Sequence, residues 1–391
     1  MINPKLKIAF VVDRFGSRFG GAEAYGVALM RELSQDHEIT VFAREYDAAC
    51  ELSLPFIPLR SWSGWPSWMR VLLFAIRARR HTRQGFDIVH SHMNGWCGDV
   101  EVIHVTPVRY NWRVRSLPFL KRALSRVSLR VQTYLGLEKR RVASRPGHRT
   151  VAVSGLIAEQ LRQAYGDGLI APIIPPGVAP AAAVSSVQRQ QTRHELGWSD
   201  SDQVCLLVAR NPMRKGLPTV VKALSLLPAQ FKLLVVGGNG VTRDFLRKLN
   251  DNELVDRIKV VDETPDVDTY YAAADIYVHP TLNDSFGMAP LEAMSYGLPV
   301  ILSPSPWCGF AQYVNGGSEA LVLSHPENAE QLASFIAQIK QDPAVRAALI
   351  RGGEDVVARH SWAEVARRYM ALYGEVLSER ASNPAAGPVN D

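Results

Sequence analysis

A chain of 391 residues, 47% hydrophobic and 21% charged, is too long for one ordinary core and too apolar for disorder, so two globular domains are expected. No apolar run reaches the roughly 18 residues of a membrane-spanning helix, and the run in MINPKLKIAFVVDRFG is too short for a signal peptide. The net charge of +6 is uneven: residues 60–150 hold 18 Lys and Arg against 4 Asp and Glu, a local +14 that leaves −8 elsewhere and calls for an anionic partner.

In chain order, KIAFVV (7–12) reads as a buried strand, DRFGSRFGG as a loop, Ala22–Leu33 as a helix and EITVFA (38–43) as a second strand. FDIVHSH (86–92), EVIHV (101–105) and RTVAVS (149–154) continue the series. Strands alternating with helices imply a parallel sheet covered on both faces. The Pro-rich APIIPPGVAP marks a boundary near residue 178, after which the pattern restarts. Strands are expected at 204–210, 231–238, 258–263, 274–280, 298–303 and 319–324. The fold class is therefore α/β, with two Rossmann-like doubly wound domains, 1–178 and 179–362, facing a cleft. A helix over 363–380 returns towards the first domain, and 381–391 is expected to be a disordered tail. Cys50, Cys97, Cys205 and Cys308 form no CxxC pair and read as free thiols of a reducing cytoplasm.

The chemistry concentrates at strand ends. In DSFGMAPLEAMSYGLPVI (284–301), DSFG is loop, and a helix starts near Met288 with Pro290 in its first turn and Gly297 at its end. Backbone amides of Phe286, Gly287 and Met288 then open towards an anion, most often a phosphate. Asp284 and Glu292 cannot be phosphate ligands but suit vicinal hydroxyls. Phosphate beside diols describes a sugar nucleotide; the plain alternative is a loop cap and a surface helix residue. ARNPMRKG (209–216) puts Arg210, Arg214 and Lys215 where a diphosphate would lie. In the first half, Gly20 and Gly21 of RFGGAE allow close backbone approach at a helix start, flanked by Arg14 and Arg18. His104 ends the strand of EVIHVTPVRYNW, with His90 and His92 as alternatives, and Arg109 follows it. Two DxD triplets mimic a metal motif, but Asp200 and Asp202 precede a strand and Asp266 suits an N-cap, so no metal site is expected. VVGGNG lacks the third glycine of a dinucleotide fingerprint.

The order R(x)4KG, VVGG, ADIYVHP and D-SFGMAPLEAM-(x)2-GLPVI resembles glycosyltransferase family 4, whose GT-B enzymes mostly transfer sugars with retention. The likeness covers nearly the whole chain. The family's first acid is Glu, where this chain has Asp284. The resemblance implies that Asp284 and Ser285 to Met288 meet the donor sugar and its phosphates, Glu292 the ribose, and Arg210 and Lys215 the diphosphate. It also implies that His104 faces the reaction centre and that Gly20 and Gly21 belong to the first glycine-rich loop; Arg14 and Arg18, flanking that loop, and Arg109 are the cations expected to meet an anionic acceptor. The domains become acceptor-binding and nucleotide-sugar-binding. HVTPVRYNW is similar to bacterial mannosyltransferases and CGFAQYV (308–314) to lipopolysaccharide-core glucosyltransferases, which leaves the donor open between GDP- and UDP-linked sugars.

No cofactor is implied beyond that co-substrate. The acceptor is expected to be lipid-linked or lipopolysaccharide-like. Ser61–Arg80, with three tryptophans, and Arg113–Arg130 mix apolar and basic residues, which suits an anionic inner-membrane surface and a cytoplasmic, peripheral enzyme. No nucleic-acid module is present. A GT-B sugar-nucleotide epimerase and a non-catalytic sugar-nucleotide-binding protein remain the rival readings.

Overall fold

The computed structural model describes residues 5–60, 64–181 and 185–382. Trp62 and residues 383–391 of the expected tail lie outside them, whereas Ala381 and Ser382 continue a helix. The chain forms two compact units: Met1–Gly177 with Trp362–Asp391, and Val178–Ser361.

The first unit contains β1 (Lys7–Val11), β2 (Glu38–Ala43), β3 (Phe56–Pro58), β4 (Ile88–Ser91), β5 (Val100–Ile103) and β6 (Arg149–Ala152), all parallel, in the order β3-β2-β1-β4-β5-β6. Central β1 is almost wholly buried because both faces are covered, which is why KIAFV is a continuous apolar run rather than an alternating one. β3 has no such signature: it is a three-residue edge strand ending in proline, tolerated where one side needs no partner. Helices α1 (Gly21–Leu33), α2 (Ser67–Thr82), α3 (Phe119–Val127) and α4 (Leu129–Arg141) belong to this unit.

The second unit repeats the design. Strands β7 (Gln203–Val208), β8 (Phe231–Gly238), β9 (Ile258–Asp262), β10 (Ile276–His279), β11 (Val300–Leu302) and β12 (Leu321–Val322) are parallel in the order β9-β8-β7-β10-β11-β12. Helix α5 (Leu217–Ser225) follows β7, and α6 (Met288–Ser295) follows β10. The helix over Asp268–Ala273 takes Val267, not Asp266, as its N-cap, without a side-chain cap. The chain then re-enters the first unit as α7 (Trp362–Ser382), whose Tyr369, Tyr373 and Val376 are buried in that unit's core.

Candidate active site

Both sheets deliver their chemistry at or beyond the carboxyl ends of their strands, where the loops of a doubly wound sheet bind ligands. In the second unit, β7 leads to Arg210 and the turn that ends at Gly216. Gly216 sits at φ +89°, and a Cβ there would lie 2.0 Å from the Pro280 carbonyl oxygen. Only glycine lets this turn press against the end of β10, which brings Lys215 to Asp284. The Lys215 ammonium pairs with Asp284 Oδ2 and also reaches the Asn283 carbonyl at 3.4 Å.

His279, the last residue of β10, places its Nε2 3.0 Å from the same Oδ2. An ionised carboxylate only accepts, so Nε2 carries the proton. Burial opposes charge on Asp284, yet the His279 hydrogen bond and the Lys215 ammonium hold its carboxyl well below the usual range. Burial lowers the His279 pKa, which keeps the ring neutral. Asp284 is thus clamped as an anion through one oxygen, leaving Oδ1 for a ligand.

The DSFG loop is held from below. Asp284 N–H donates to the Trp307 carbonyl at 2.7 Å, and the Phe310 amide donates to the Phe286 carbonyl at 2.5 Å. The Phe286 ring packs on Phe310 and Tyr313, so this residue offers a ligand its backbone, not its side chain. Gly287 sits at φ +109° as the N-cap of α6, and a Cβ would come within 3.3 Å of Cys308 Sγ. CGFAQYV is therefore the floor of this loop. The first amides of α6 have no acceptor within the helix, and its dipole places positive potential there. Glu292, one turn further on, accepts from the buried Tyr271 hydroxyl at 2.9 Å. Burial pushes the Glu292 carboxyl up, and the Tyr271 bond works against it.

Arg210 pairs with Glu263, both about half exposed, a contact worth on the order of 0–1 kcal/mol and easily exchanged for a ligand. Asp202, from one DxD triplet, caps the Ser199 amide at 2.8 Å. Among the described residues, no group of three His, Cys, Asp or Glu is arranged to hold a metal.

In the first unit the three candidate histidines come together. The rings of His92 and His104 lie 4.3 Å apart, and His90 Nε2 is 2.9 Å from His92 Nε2. His90 Nδ1 is 2.5 Å from the Tyr373 hydroxyl on α7, and Tyr25 of α1 meets the His104 ring edge-on at 4.9 Å. Burial lowers the His90 and His104 pKa values to about 3 and that of His92 well below its ordinary value. His104 Nε2 is buried with no hydrogen-bond partner. Gly20 caps α1 and Gly21 opens it, with nothing within 4 Å of a Cβ built on Gly21. Arg18 is bound to Asp47 at 3.2 Å and Glu45 at 3.7 Å, while Arg14 lies over the Phe19 ring at 4.6 Å. Arg109 lies apart from these: its Nε donates to the Ala164 carbonyl at 2.6 Å and it lines a cavity of about 290 Å³ with Arg113 and Lys139.

The sequence reading missed His279, Tyr271 and Glu263. His279 carried a usable signal, a histidine ending a strand five residues before the key acid. Tyr271 and Glu263 did not, because only the fold brings them to Glu292 and Arg210.

Residues 19–182 match the model of Glycosyltransferase Family 4, and residues 188–356 that of Glycosyl transferases group 1. The chain belongs to glycosyltransferase family 4. The lipopolysaccharide glucosyltransferase WaaG of Escherichia coli K12 is 29% identical over 225 residues, 55% of each chain. A D-inositol 3-phosphate glycosyltransferase of Xylanimonas cellulosilytica is 27% identical over 329 residues, 78% of this chain and 76% of that one. For several curated relatives the match spans only about half their length. The crystal structure of WaaG superposes with a TM-score of 0.78 over 94% of this chain and 99% of that one, at 19% identity. Anabaena Alr3699/HepE, solved with UDP-glucose, gives 0.71 at 18% identity over 95% and 99%. At such identities the likeness is one of fold, and this family 4 glycosyltransferase has the GT-B architecture of two Rossmann-like units.

Proposed function

We propose that this chain transfers a hexose from a UDP- or GDP-linked sugar to a lipid-linked, lipopolysaccharide or other surface-glycan acceptor, with retention and without metal. One observation carries the reading: a clamped anion, Asp284, stands beside an ammonium and a helix start, with Glu292 one turn on. Asp284 Oδ1 accepts from donor-sugar hydroxyls and Glu292 from the ribose diol. The bond from the anomeric carbon to the β-phosphate oxygen breaks, and its electron pair moves to the phosphate. Lys215, Arg210 and the α6 amides stabilise that charge, each such donor worth roughly 3–4 kcal/mol in the transition state. The acceptor hydroxyl attacks on the face the phosphate leaves and gives that phosphate its proton, so configuration is kept. The unpartnered His104 Nε2 suits a substrate hydroxyl. The WaaG name supports the acceptor class, and a lipid-linked acceptor places the enzyme on the cytoplasmic face of an anionic inner membrane. No described helix is long and apolar enough to cross one.

A donor panel tests this: UDP-glucose, UDP-galactose, UDP-GlcNAc, GDP-mannose, UDP and GDP, with and without EDTA, read by thermal shift and mass-detected turnover. A shift with one nucleotide class, insensitive to EDTA and lost in Lys215→Ala, supports the site and fixes the base. No shift with any of them overturns it.

A further inference from the structure

Helix α3 is amphipathic the wrong way round. At about 100° per residue, Phe119, Leu120, Ala123, Leu124 and Val127 share an arc of about 140°, and Ser125 lies about opposite its centre. In a helix packed on a core the apolar arc would face inward. Here Ser125 is 2% exposed, while Phe119 is 86%, Leu120 69%, Leu124 58% and Val127 77% exposed. Polar contacts fasten the inner side. Arg113 donates to Ser125 Oγ at 2.6 Å, and Gln132 of α4 donates to the Ser125 and Arg126 carbonyls at 2.9 and 3.0 Å. The outward apolar face therefore does no work in holding the helix to its unit. Leu129, 65% exposed, extends the patch onto α4.

The charge around this face has one sign. Residues 102–137 hold seven Lys and Arg and no Asp or Glu. The acids that bracket them turn inward: Glu101 pairs with buried Arg141, and Glu138 accepts the Arg109 amide and the Tyr165 hydroxyl. Lys121, Arg122, Arg126 and Arg130 are exposed beside the patch.

Two segments read alike in sequence, and the structure separates them. The apolar side of α2 is core: Phe74, Ala75 and Ala78 are buried, with Phe74 and Ala78 against Phe42 and Val89. Within Ser67–Arg80 part of the apolar surface is thus spent on the core, although Trp68, Val71 and Leu72 stay half-buried and Ile76 exposed. The geometry points to α3 as the element that docks this enzyme on an anionic phospholipid bilayer, with Phe119, Leu120, Leu124 and Val127 below the headgroups and the flanking cations at the phosphates. A helix of this kind lies in the interface, held by apolar burial together with charge attraction. A second copy of the chain is the poorer occupant, because a two-fold contact would set the same cations against each other. This inference deepens the proposed acceptor class but rests on it only for the reason to visit a membrane.

The test is co-sedimentation of the full chain with phosphatidylcholine vesicles and with vesicles containing a quarter phosphatidylglycerol. Wild type is expected to bind the anionic vesicles at 100 mM NaCl, far less at 1 M, and to leave neutral vesicles largely unbound. Leu120→Glu/Leu124→Glu should lower binding at least tenfold, with thermal midpoint and donor turnover unchanged. Phe119→Ser serves as the second variant if that one fails to fold. Wild type that ignores anionic vesicles, or a folded variant that binds them equally, overturns the docking role. A wild-type dimer that the variant converts to monomer in light scattering also overturns it, in favour of a second copy. Vesicle binding without donor turnover would sink the proposed reaction and leave the docking role standing.

Discussion

The two units share one strand order and differ in what they hang from it. Both sheets are parallel, and both put side chains just past β-strand ends. In the second unit those side chains form ion pairs, Lys215 with Asp284 and Arg210 with Glu263. In the first they are three imidazoles in tilted ring contact whose burial keeps them neutral. A fold therefore settles where a site lies, and the residues after each strand settle its chemistry. Charge suits a diphosphate; a neutral group with an unpartnered nitrogen, such as His104 Nε2, suits a hydroxyl.

Lys215→Ala should break the contrast most, by removing the ammonium from the ionic side. Donor turnover is expected to fall about 100- to 1000-fold, with loss of the nucleotide thermal shift. Retained binding and turnover would place the diphosphate elsewhere. Asp284→Glu comes next. The clamp by His279 and Lys215 is built to aspartate length, so one added methylene displaces the oxygen left for the sugar. Turnover should drop about tenfold, since displacements on the order of 1 Å cost up to about 100-fold. An increase would instead mark Asp284 as a decayed glutamate. His104→Ala probes the neutral side: kcat should fall about tenfold while calorimetric affinity for the free nucleotide stays put. Loss of nucleotide affinity would contradict the division.

The sheets were legible because buried parallel strands leave continuous apolar runs: KIAFV and FKLLVVGG announce themselves, whereas the edge strand Phe56–Pro58 does not. The candidate donor residues stood out because α6 starts at a glycine three residues after an acid, a local pattern. What local pattern cannot show is who meets whom. Nothing near Asp284 in sequence says that its charge is shared with Lys215, 69 residues away. Nor does sequence tell α2 from α3. Both mix apolar and basic residues, and only packing decides that α2 sinks Phe74, Ala75 and Ala78 into the core while α3 turns Phe119, Leu120, Leu124 and Val127 outward.

The smallest effect separates the units by pH. Histidine pKa values in the unfolded chain lie near about 6.5. In the folded first unit those of His90 and His104 fall to about 3 and that of His92 also falls, so between these limits the unfolded chain binds more protons than the folded one. Stability then rises with pH across that window: it is fully present above about 6.5 and is lost progressively as pH falls towards 3. The second-unit site contributes one such imidazole, His279, and Asp284, whose lowered pKa confines its own loss to pH below the ordinary carboxylate range. Hydrogen exchange, corrected for intrinsic rate, should therefore show β4 and β5 losing protection between pH 7 and 5 before β7 and β8 do. Equal loss in both sheets would mean that the buried imidazoles do not govern the acid response, and that the contrast between the units ends at their ligands.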